Sequence, residues 1–323
     1  MQEQVKDSDI FTVDALYTEP QLAAIHLLRE GNRIALIDTG TQYSVPQVAS
    51  ALDELGLEFA DVELIILTHI HLDHAGGASA LMQLCDRAEL VVHPKGARHM
   101  AHPEKLVAGA IAVYGEQEFA ALYGEITPIE ASRMITPGED EEICLGSRVL
   151  QFFDSPGHAS HHHCIIDRAT NSVFTGDTLG IAYPSLRDPD HAFVMPTTTP
   201  VQFNPAALHQ SINKVMGHQP DWLYYTHYGS LNPSAQNIAG LHEQIEDFIL
   251  LTGQVAESLG EARLAVGGKF AEELGRAIHN YLMQRARNEL SSVNDALIEH
   301  WTRLDAYLNA QGLAFWWDHR RQP

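Results

Sequence analysis

Residues 68–77, THIHLDHAGG, directly follow an apolar run, VELIIL, at residues 62–67. A continuous apolar run of this length is typical of a buried central strand. The polar stretch therefore leaves the strand at its carboxyl end, where ligand sites in α/β sheets lie. Three imidazoles and a carboxylate within six residues are costly to bury without partners. Because neutral imidazole and carboxylate groups are good ligands for zinc, iron or manganese, the stretch predicts a metal site.

The spacing within this stretch predicts two metal positions rather than one. In an extended turn, His69 and His71 point the same way, whereas Asp73 and His74 face a second position nearby. Two divalent ions about 3.5–4 Å apart can share a water and lower its pKa towards neutrality. We therefore expect a hydroxide that bridges two ions to be the nucleophile, and the Asp73 carboxylate to act catalytically by moving its proton.

Three further ligand candidates lie just past predicted strands downstream. They are His158 in SPGH, Asp177 in TGD and His227 in YTH. A lone histidine or aspartate at a strand end is more often a turn or capping residue. In this order after residues 68–77, however, the three together supply the ligands that a two-metal site still needs.

The rest of the sequence predicts an α/β catalytic domain at residues 1–235 and a helical extension at residues 236–323. Short apolar runs alternate with turn signals in the first part, which indicates two sheets covered by helices. Residues 94–125 are Ala-rich with helical spacing, so we expect two or so inserted helices that overhang the metals. Strands are predicted at residues 11–16, 21–28, 33–38, 62–67, 89–93, 141–145, 148–153, 163–167, 172–175 and 222–226. Helices are predicted at residues 45–56, 75–85, 205–216, 237–259, 269–289 and 293–311, with a break at Gly267-Gly268.

The composition narrows the class of partner. The 323 residues include 20 Lys and Arg against 42 Asp and Glu, a net charge of −22, so nucleic acid is a poor partner. No apolar stretch reaches the roughly 18 residues of a membrane span, and residues 1–10 do not resemble a signal peptide. Three cysteines without close pairing fit a reducing compartment. We therefore expect a soluble cytoplasmic protein that acts on a small molecule and has no membrane partner.

The order of these motifs resembles the metallo-β-lactamase superfamily, in the branch that includes glyoxalase II, the N-acyl-homoserine lactonases and tRNase Z. The resemblance covers about residues 20–230 and includes Asp38 in LIDTG. It implies a metallo-β-lactamase αββα sandwich, with the C-terminal helices as an extension. By resemblance, Asp38 supports the ligand loop without binding metal. The ligands that the resemblance implies are His69, His71 and His158 for the first metal, Asp73, His74 and His227 for the second, and Asp177 for both.

The resemblance implies two divalent ions per chain, zinc above iron or manganese, and hydrolysis of a small ester, thioester or lactone. No cysteine occupies a ligand position, which argues against antibiotic hydrolysis. A phosphodiesterase, or a ligand-sensing protein that kept the metal site, are the alternatives. The aromatic residues of the helical extension fit a pocket wall, a core or a homodimer contact.

Two further catalytic candidates are weaker. Lactonases of this superfamily carry a tyrosine three residues after the bridging aspartate, where this chain has Gly180. Tyr183 is therefore the candidate for oxyanion contact, although it also fits a packed loop tyrosine. His162 is the candidate proton donor, and strand alternation places its neighbours His161 and His163 together on the opposite face.

Overall fold

The computed structural model describes residues 2–3, 5, 8–198, 201–260 and 268–320, so Gly267 of the predicted break lies outside the described residues. Strands β1 to β15 are Gln2–Glu3, Ile10–Asp14, Ala24–Glu30, Arg33–Ile37, Val62–Ile66, Glu89–Val91, Met134–Ile135, Glu142–Leu145, Arg148–Asp154, His163–Asp167, Ser172–Gly176, Arg187–Asp188, His191–Ala192, Trp222–Tyr225 and Gly229–Leu231. Helices α1 to α10 are Val45–Glu54, Leu72–Ala75, Ala78–Leu84, Pro94–Ala101, Glu104–Tyr114, Glu116–Tyr123, Pro205–Gly217, Ala235–Leu259, Lys269–Glu289 and Asp295–His319.

The described residues form two compact units, and the first contains two β-sheets. Its segments are Met1–Asp154, His161–Gly176 and His218–Asn232. One sheet has seven strands in the order β1 to β7, antiparallel up to β4 and parallel from β4 to β7. The other has six strands in the order β15-β14-β11-β10-β9-β8, and only its β11–β14 pair is parallel. Helices α1 to α6 belong to the same unit.

One apolar core of this unit is shared by the two sheets. It joins Ile37 and Ile66 of the seven-stranded sheet to Phe152 and Phe174 of the six-stranded sheet, all at most 1% exposed. Inner faces of packed sheets interdigitate in this way. The predicted central strand is confirmed, since β5 lies between two parallel neighbours and its apolar run is buried.

The second unit contains helices α7 to α10 and the two-stranded ribbon β12–β13. Its segments are Ser155–Ser160, Asp177–Gly217 and Pro233–Pro323. The helical extension begins at Ala235, next to the predicted boundary. Two earlier segments of chain belong to this unit as well, so the division into residues 1–235 and 236–323 stays a prediction about domains.

The helical insertion contains three helices, where the sequence predicts two or so. Helices α4, α5 and α6 occupy residues 94–123, and Gly115, with a φ of +81°, separates α5 from α6.

The shortest strands are not predictable from the sequence. Strands of two or three residues, such as β7 and β15, show no periodicity that a sequence pattern could reveal. None of the described helices has both the length and the apolarity to cross a membrane. None of the three cysteines forms a disulfide, and of the three only Cys144 is exposed.

Candidate metal centre

The turn after β5 brings the first two candidate ligands together. The chain leaves β5 after Ile66, turns through His69 and His71, and enters the four-residue helix α2, which carries Asp73 and His74. His69 Nε2 lies 2.9 Å from His71 Nδ1, and His69 is fully buried. The two imidazole rings therefore meet on the same side of the turn, as the sequence predicts.

A second group within the first unit consists of Asp73, His74 and His227. Each offers one ligand atom, and these atoms all lie within 4.8 Å of one another. Asp73 Oδ2 lies 3.4 Å from His74 Nε2 and 3.5 Å from His227 Nε2. Burial alone would raise the pKa of the Asp73 carboxyl, but His74 and His227 hold that pKa well below its usual range. The carboxylate is therefore ionised, as a metal ligand must be.

Hydrogen bonds leave both histidines of this group ready to bind a cation. His227 Nδ1 donates to the Leu22 carbonyl oxygen at 2.8 Å, and His74 Nδ1 donates to Asp38 Oδ2 at 3.2 Å. Because a carbonyl oxygen only accepts, Nδ1 of His227 carries its proton and Nε2 keeps its lone pair. Metal-binding histidines are held in this way by carboxylates and carbonyls. This donor set fits a divalent metal ion.

Asp38 holds the residues that directly precede two of the candidate ligands. Its buried carboxylate accepts hydrogen bonds from the backbone and hydroxyl of Thr68 and, at 2.8 Å, from the Thr226 hydroxyl. Thr68 and Thr226 directly precede His69 and His227. The Asp38 carboxylate thus accepts hydrogen bonds from a residue after β5, from a residue after β14 and from the His74 ring. This is the supporting role expected for Asp38.

Replacing Asp38 with asparagine is expected to weaken metal binding by about 10- to 100-fold, the usual cost of losing a group that orients a ligand. An amide at this position cannot accept from both threonines and from His74 with both of its terminal atoms. Metal titration against a competing chelator measures the change. Asp53→Asn on the exposed face of α1 is the matched control, and an unchanged affinity in Asp38→Asn would show that the ligands keep their orientation without this carboxylate.

The second unit holds the remaining two candidate ligands. His158 follows the end of β9 by four residues, and Asp177 directly follows β11. His158 Nδ1 donates to the Thr197 carbonyl oxygen at 3.2 Å, and His158 Nε2 lies 3.3 Å from Asp177 Oδ2. His158 is thus held in the same tautomer as His227, with Nε2 available beside a carboxylate.

His162 lies next to a candidate ligand. Its buried ring stacks on the ring of His69, with centroids 4.9 Å apart, and its role as a proton donor stays a prediction. The expected alternation does not apply, because β10 begins only at His163. His161 consequently also stacks on His69, at 6.2 Å, whereas His163 bonds the Leu67 carbonyl oxygen through Nε2 at 2.7 Å.

Tyr183 packs within the second unit. Its hydroxyl donates to Asp305 Oδ2 at 3.1 Å, and its ring lies 4.5 Å from the ring of Trp301. The side chain is only 3% exposed. These contacts fit a packed loop tyrosine, and its contact with an oxyanion stays a prediction.

Two tyrosines that the sequence pattern does not single out lie near Asp73. The hydroxyls of Tyr17 and Tyr123 are 3.0 Å apart and their rings are stacked. Burial, and then the negative charge of Asp73, raise the pKa of both phenols. Tyr123 also packs in one apolar cluster with Leu72, which stands between the candidate ligands His71 and Asp73. No local signal could predict this pair, because 106 residues separate its members.

Comparison with known proteins identifies relatives of this chain. A family model described as the metallo-β-lactamase superfamily matches residues 19–235. A metallo-β-lactamase fold-containing protein of Sulfurisphaera tokodaii is 26% identical over 218 residues, which cover 66% of this chain and 76% of that protein. An acyl-coenzyme A thioesterase of Gallus gallus is 26% identical over 185 residues, or 53% of this chain and 63% of the thioesterase.

Solved structures agree on the fold. The crystal structure of a metallo-β-lactamase family protein from Thermus thermophilus is similar, with a TM-score of 0.64, over 97% of this chain and 94% of that chain. The sequence identity is 18%, so this likeness concerns the fold alone. It confirms the predicted α/β class with its C-terminal helices.

Proposed function

Because this chain belongs to the metallo-β-lactamase superfamily, we propose that it is a dinuclear metal-dependent hydrolase of a small ester, thioester or lactone. The observation that carries the proposal is the donor group of Asp73, His74 and His227, whose ligand atoms lie within 4.8 Å. The thioesterase activity named for the Gallus gallus relative supports a thioester among these substrates. A place in the glyoxalase II and lactonase branch belongs to the same proposal.

The ligand assignment follows the order of the motifs. We propose that the chain binds two zinc ions, with iron or manganese as the alternative metals. Asp177 is proposed to serve both, since its neighbour His158 offers Nε2 within 3.3 Å of its carboxylate. The first ion is assigned to His69, His71 and His158, and the second to Asp73, His74 and His227.

The chain's own residues position the reaction. When bound, divalent ions supply an activated water near neutral pH and polarise the oxygen under attack. Asp73, ionised beside His74 and His227, can accept a proton at Oδ2 and pass it to the leaving group. Asp38 and the Leu22 carbonyl keep the imidazoles fixed throughout, so little reorganisation is needed during the reaction.

The proposed binding partner and cellular location follow from the net charge and from the state of the cysteines. A net charge of −22 disfavours nucleic acid, and a small molecule is the proposed partner. Three cysteines without a disulfide support a cytoplasmic location, where thiols stay reduced. A homodimer is a further proposal, which light scattering can test.

The experiment that tests the function is a hydrolysis panel on metal-loaded protein. The panel contains acyl thioesters, nitrophenyl esters, acyl-homoserine lactones and bis-nitrophenyl phosphate, with elemental analysis of the same sample. We expect two ions per chain and turnover of a thioester, ester or lactone that disappears on chelation and returns with zinc. Turnover of the phosphodiester alone would replace this proposal with a phosphodiesterase. Two bound ions without any turnover would favour a ligand-sensing protein.

A further inference from the structure

Two tyrosine side chains of the first unit lie together in an otherwise apolar cluster. Tyr17 follows β2, and Tyr123 ends α6. Their rings are stacked, with centroids 6.0 Å apart, and their hydroxyl oxygens are 3.0 Å apart. The other members of the cluster have apolar side chains and are Leu72, Leu106, Val107, Ala110, Ile111, Phe119, Leu122 and Ile126. Because polar groups in apolar surroundings are normally hydrogen-bonded, the proton of each hydroxyl has to be accounted for.

The pair has one O–H donor more than its own hydrogen bond uses. Each phenol carries one O–H proton, and the bond between the two hydroxyls uses one of these two protons. Among the residues that the structure describes, none accepts the second proton. Tyr17 is partly exposed, whereas Tyr123 is only 4% exposed. When Tyr123 donates to the Tyr17 oxygen, the remaining proton therefore lies on the tyrosine that a ligand can reach.

Two observations place this pair close to the candidate metal ligands. Leu72, which packs in the cluster with Tyr123, stands between His71 and Asp73 in the sequence. After burial, the negative charge of Asp73 is the largest cause that raises the pKa of each phenol, and such an effect falls off with distance. Since an ordinary phenol already has a pKa of about 10, both hydroxyls keep their protons near neutral pH and stay neutral donors.

The tyrosine that the sequence predicts for oxyanion contact has already used its proton. The Tyr183 hydroxyl donates to Asp305 Oδ2 at 3.1 Å, so it would have to leave that carboxylate before it could donate to a substrate. The remaining proton of the tyrosine pair can be donated without breaking any bond to another described residue. This difference favours Tyr17 over Tyr183 as a hydrogen-bond donor to a ligand.

We propose that the Tyr17 hydroxyl donates a hydrogen bond to the carbonyl oxygen of the substrate, and that Tyr123 positions Tyr17 for this contact. The inference rests on the proposed function and adds a substrate-binding group to it. The proton stays on Tyr17 throughout, and the bond strengthens as the carbonyl oxygen gains negative charge. An interaction that is stronger in the transition state than in the ground state raises kcat more than it lowers KM.

The kinetic test is Tyr17→Phe, which keeps the stacked ring and removes the donor. Its kcat on the best substrate of the panel should fall by about 100-fold, the usual cost of losing one oxyanion donor, with little change in KM. Tyr123→Phe should give a smaller fall in kcat, because Tyr17 keeps its proton but loses the group that orients it. Tyr43→Phe is the matched control, since it removes an exposed hydroxyl that donates to the Ala120 carbonyl oxygen of the same helix, and it should keep the wild-type kcat. Metal content and melting temperature should be the same in all three variants.

Binding without turnover separates this inference from the proposed function. A methylphosphonate monoester, whose anionic oxygens resemble the tetrahedral intermediate, and a neutral methyl ketone are titrated by calorimetry into the metal-loaded proteins. Tyr17→Phe should bind the phosphonate about tenfold or more weakly than the wild type, as expected for a lost hydrogen bond to a charged group, and the ketone equally. That result would support the Tyr17 contact even if no ester or thioester is hydrolysed. Equal phosphonate affinity in the two proteins, no phosphonate binding by the wild type, or an unchanged kcat in Tyr17→Phe would each overturn the inference, while the hydrolase proposal could stand.

Discussion

Replacing Asp73 with alanine is expected to remove one of the two proposed ions and to lower kcat/KM by about 10³-fold. The carboxylate lies within 3.5 Å of both His74 and His227, so its loss removes the negative partner of two imidazoles at once. Metal stabilisation of transition-state charge is worth several kcal/mol, and 1.36 kcal/mol corresponds to a factor of ten in rate. Elemental analysis gives the ion count, and steady-state kinetics on the best substrate of the panel gives the rate.

The matched control for this change is Asp86→Ala, which removes an exposed aspartate of the same unit. It should retain the wild-type metal content and rate. If Asp73→Ala kept two ions and more than a tenth of the activity, the assignment of the second metal position would be wrong. Circular dichroism on both variants shows whether the fold is unchanged, so that a loss of metal can be assigned to the missing ligand.

The sequence is informative about the candidate metal centre because the signals that predict it are local. Residues 69–74 lie within one turn after a strand, and the apolar run before them predicts a buried strand that the structure contains as β5. The same reasoning predicts Asp177 and His227 as candidate ligands, and the structure shows that each follows a strand of the six-stranded sheet. The carboxyl ends of neighbouring parallel strands, such as β11 and β14, meet at one edge of a sheet, so a residue that follows such a strand is expected at that edge.

The residues that pack around the candidate metal centre cannot be predicted from the sequence, because they are brought there by contacts between distant parts of the chain. The pattern of residues 94–125 predicts helices, but the apolar sequence of a helix does not reveal whether the surface of that helix is buried or exposed. The contact of Leu72 with Tyr123, and of Tyr123 with Tyr17, exists only in the folded chain. Similarly, His161 departs from the expected alternation because the strand begins two residues later than the alternation requires.

Replacing Asp167 with alanine is expected to lower the free energy of unfolding by about 3–5 kcal/mol, the usual cost of leaving one partner of a buried ion pair alone. Asp167 ends β10, and its carboxylate accepts from Arg148 Nε at 2.9 Å and from the Arg148 terminal nitrogen at 2.7 Å. Both side chains are at most 3% exposed. Urea denaturation followed by tryptophan fluorescence measures the change. Arg168→Ala, whose partner Glu142 lies 3.7 Å away in solvent, is the control and should stay within about 0.5 kcal/mol.

The double variant Arg148→Met with Asp167→Leu shows whether the loss comes from an uncompensated charge. Removing both charges takes away the buried cation that the single variant leaves alone, so most of the lost stability should return. The recovery should be incomplete, because the Arg148 guanidinium also donates to the carbonyl oxygens of Ser8 and Arg29, at 3.0 and 3.1 Å. These bonds connect β9 to the seven-stranded sheet. A double variant as unstable as Asp167→Ala would instead assign the stability to the bonds that Arg148 makes to these carbonyls and that Asp167 accepts from Ala169 and Thr170, rather than to the ion pair.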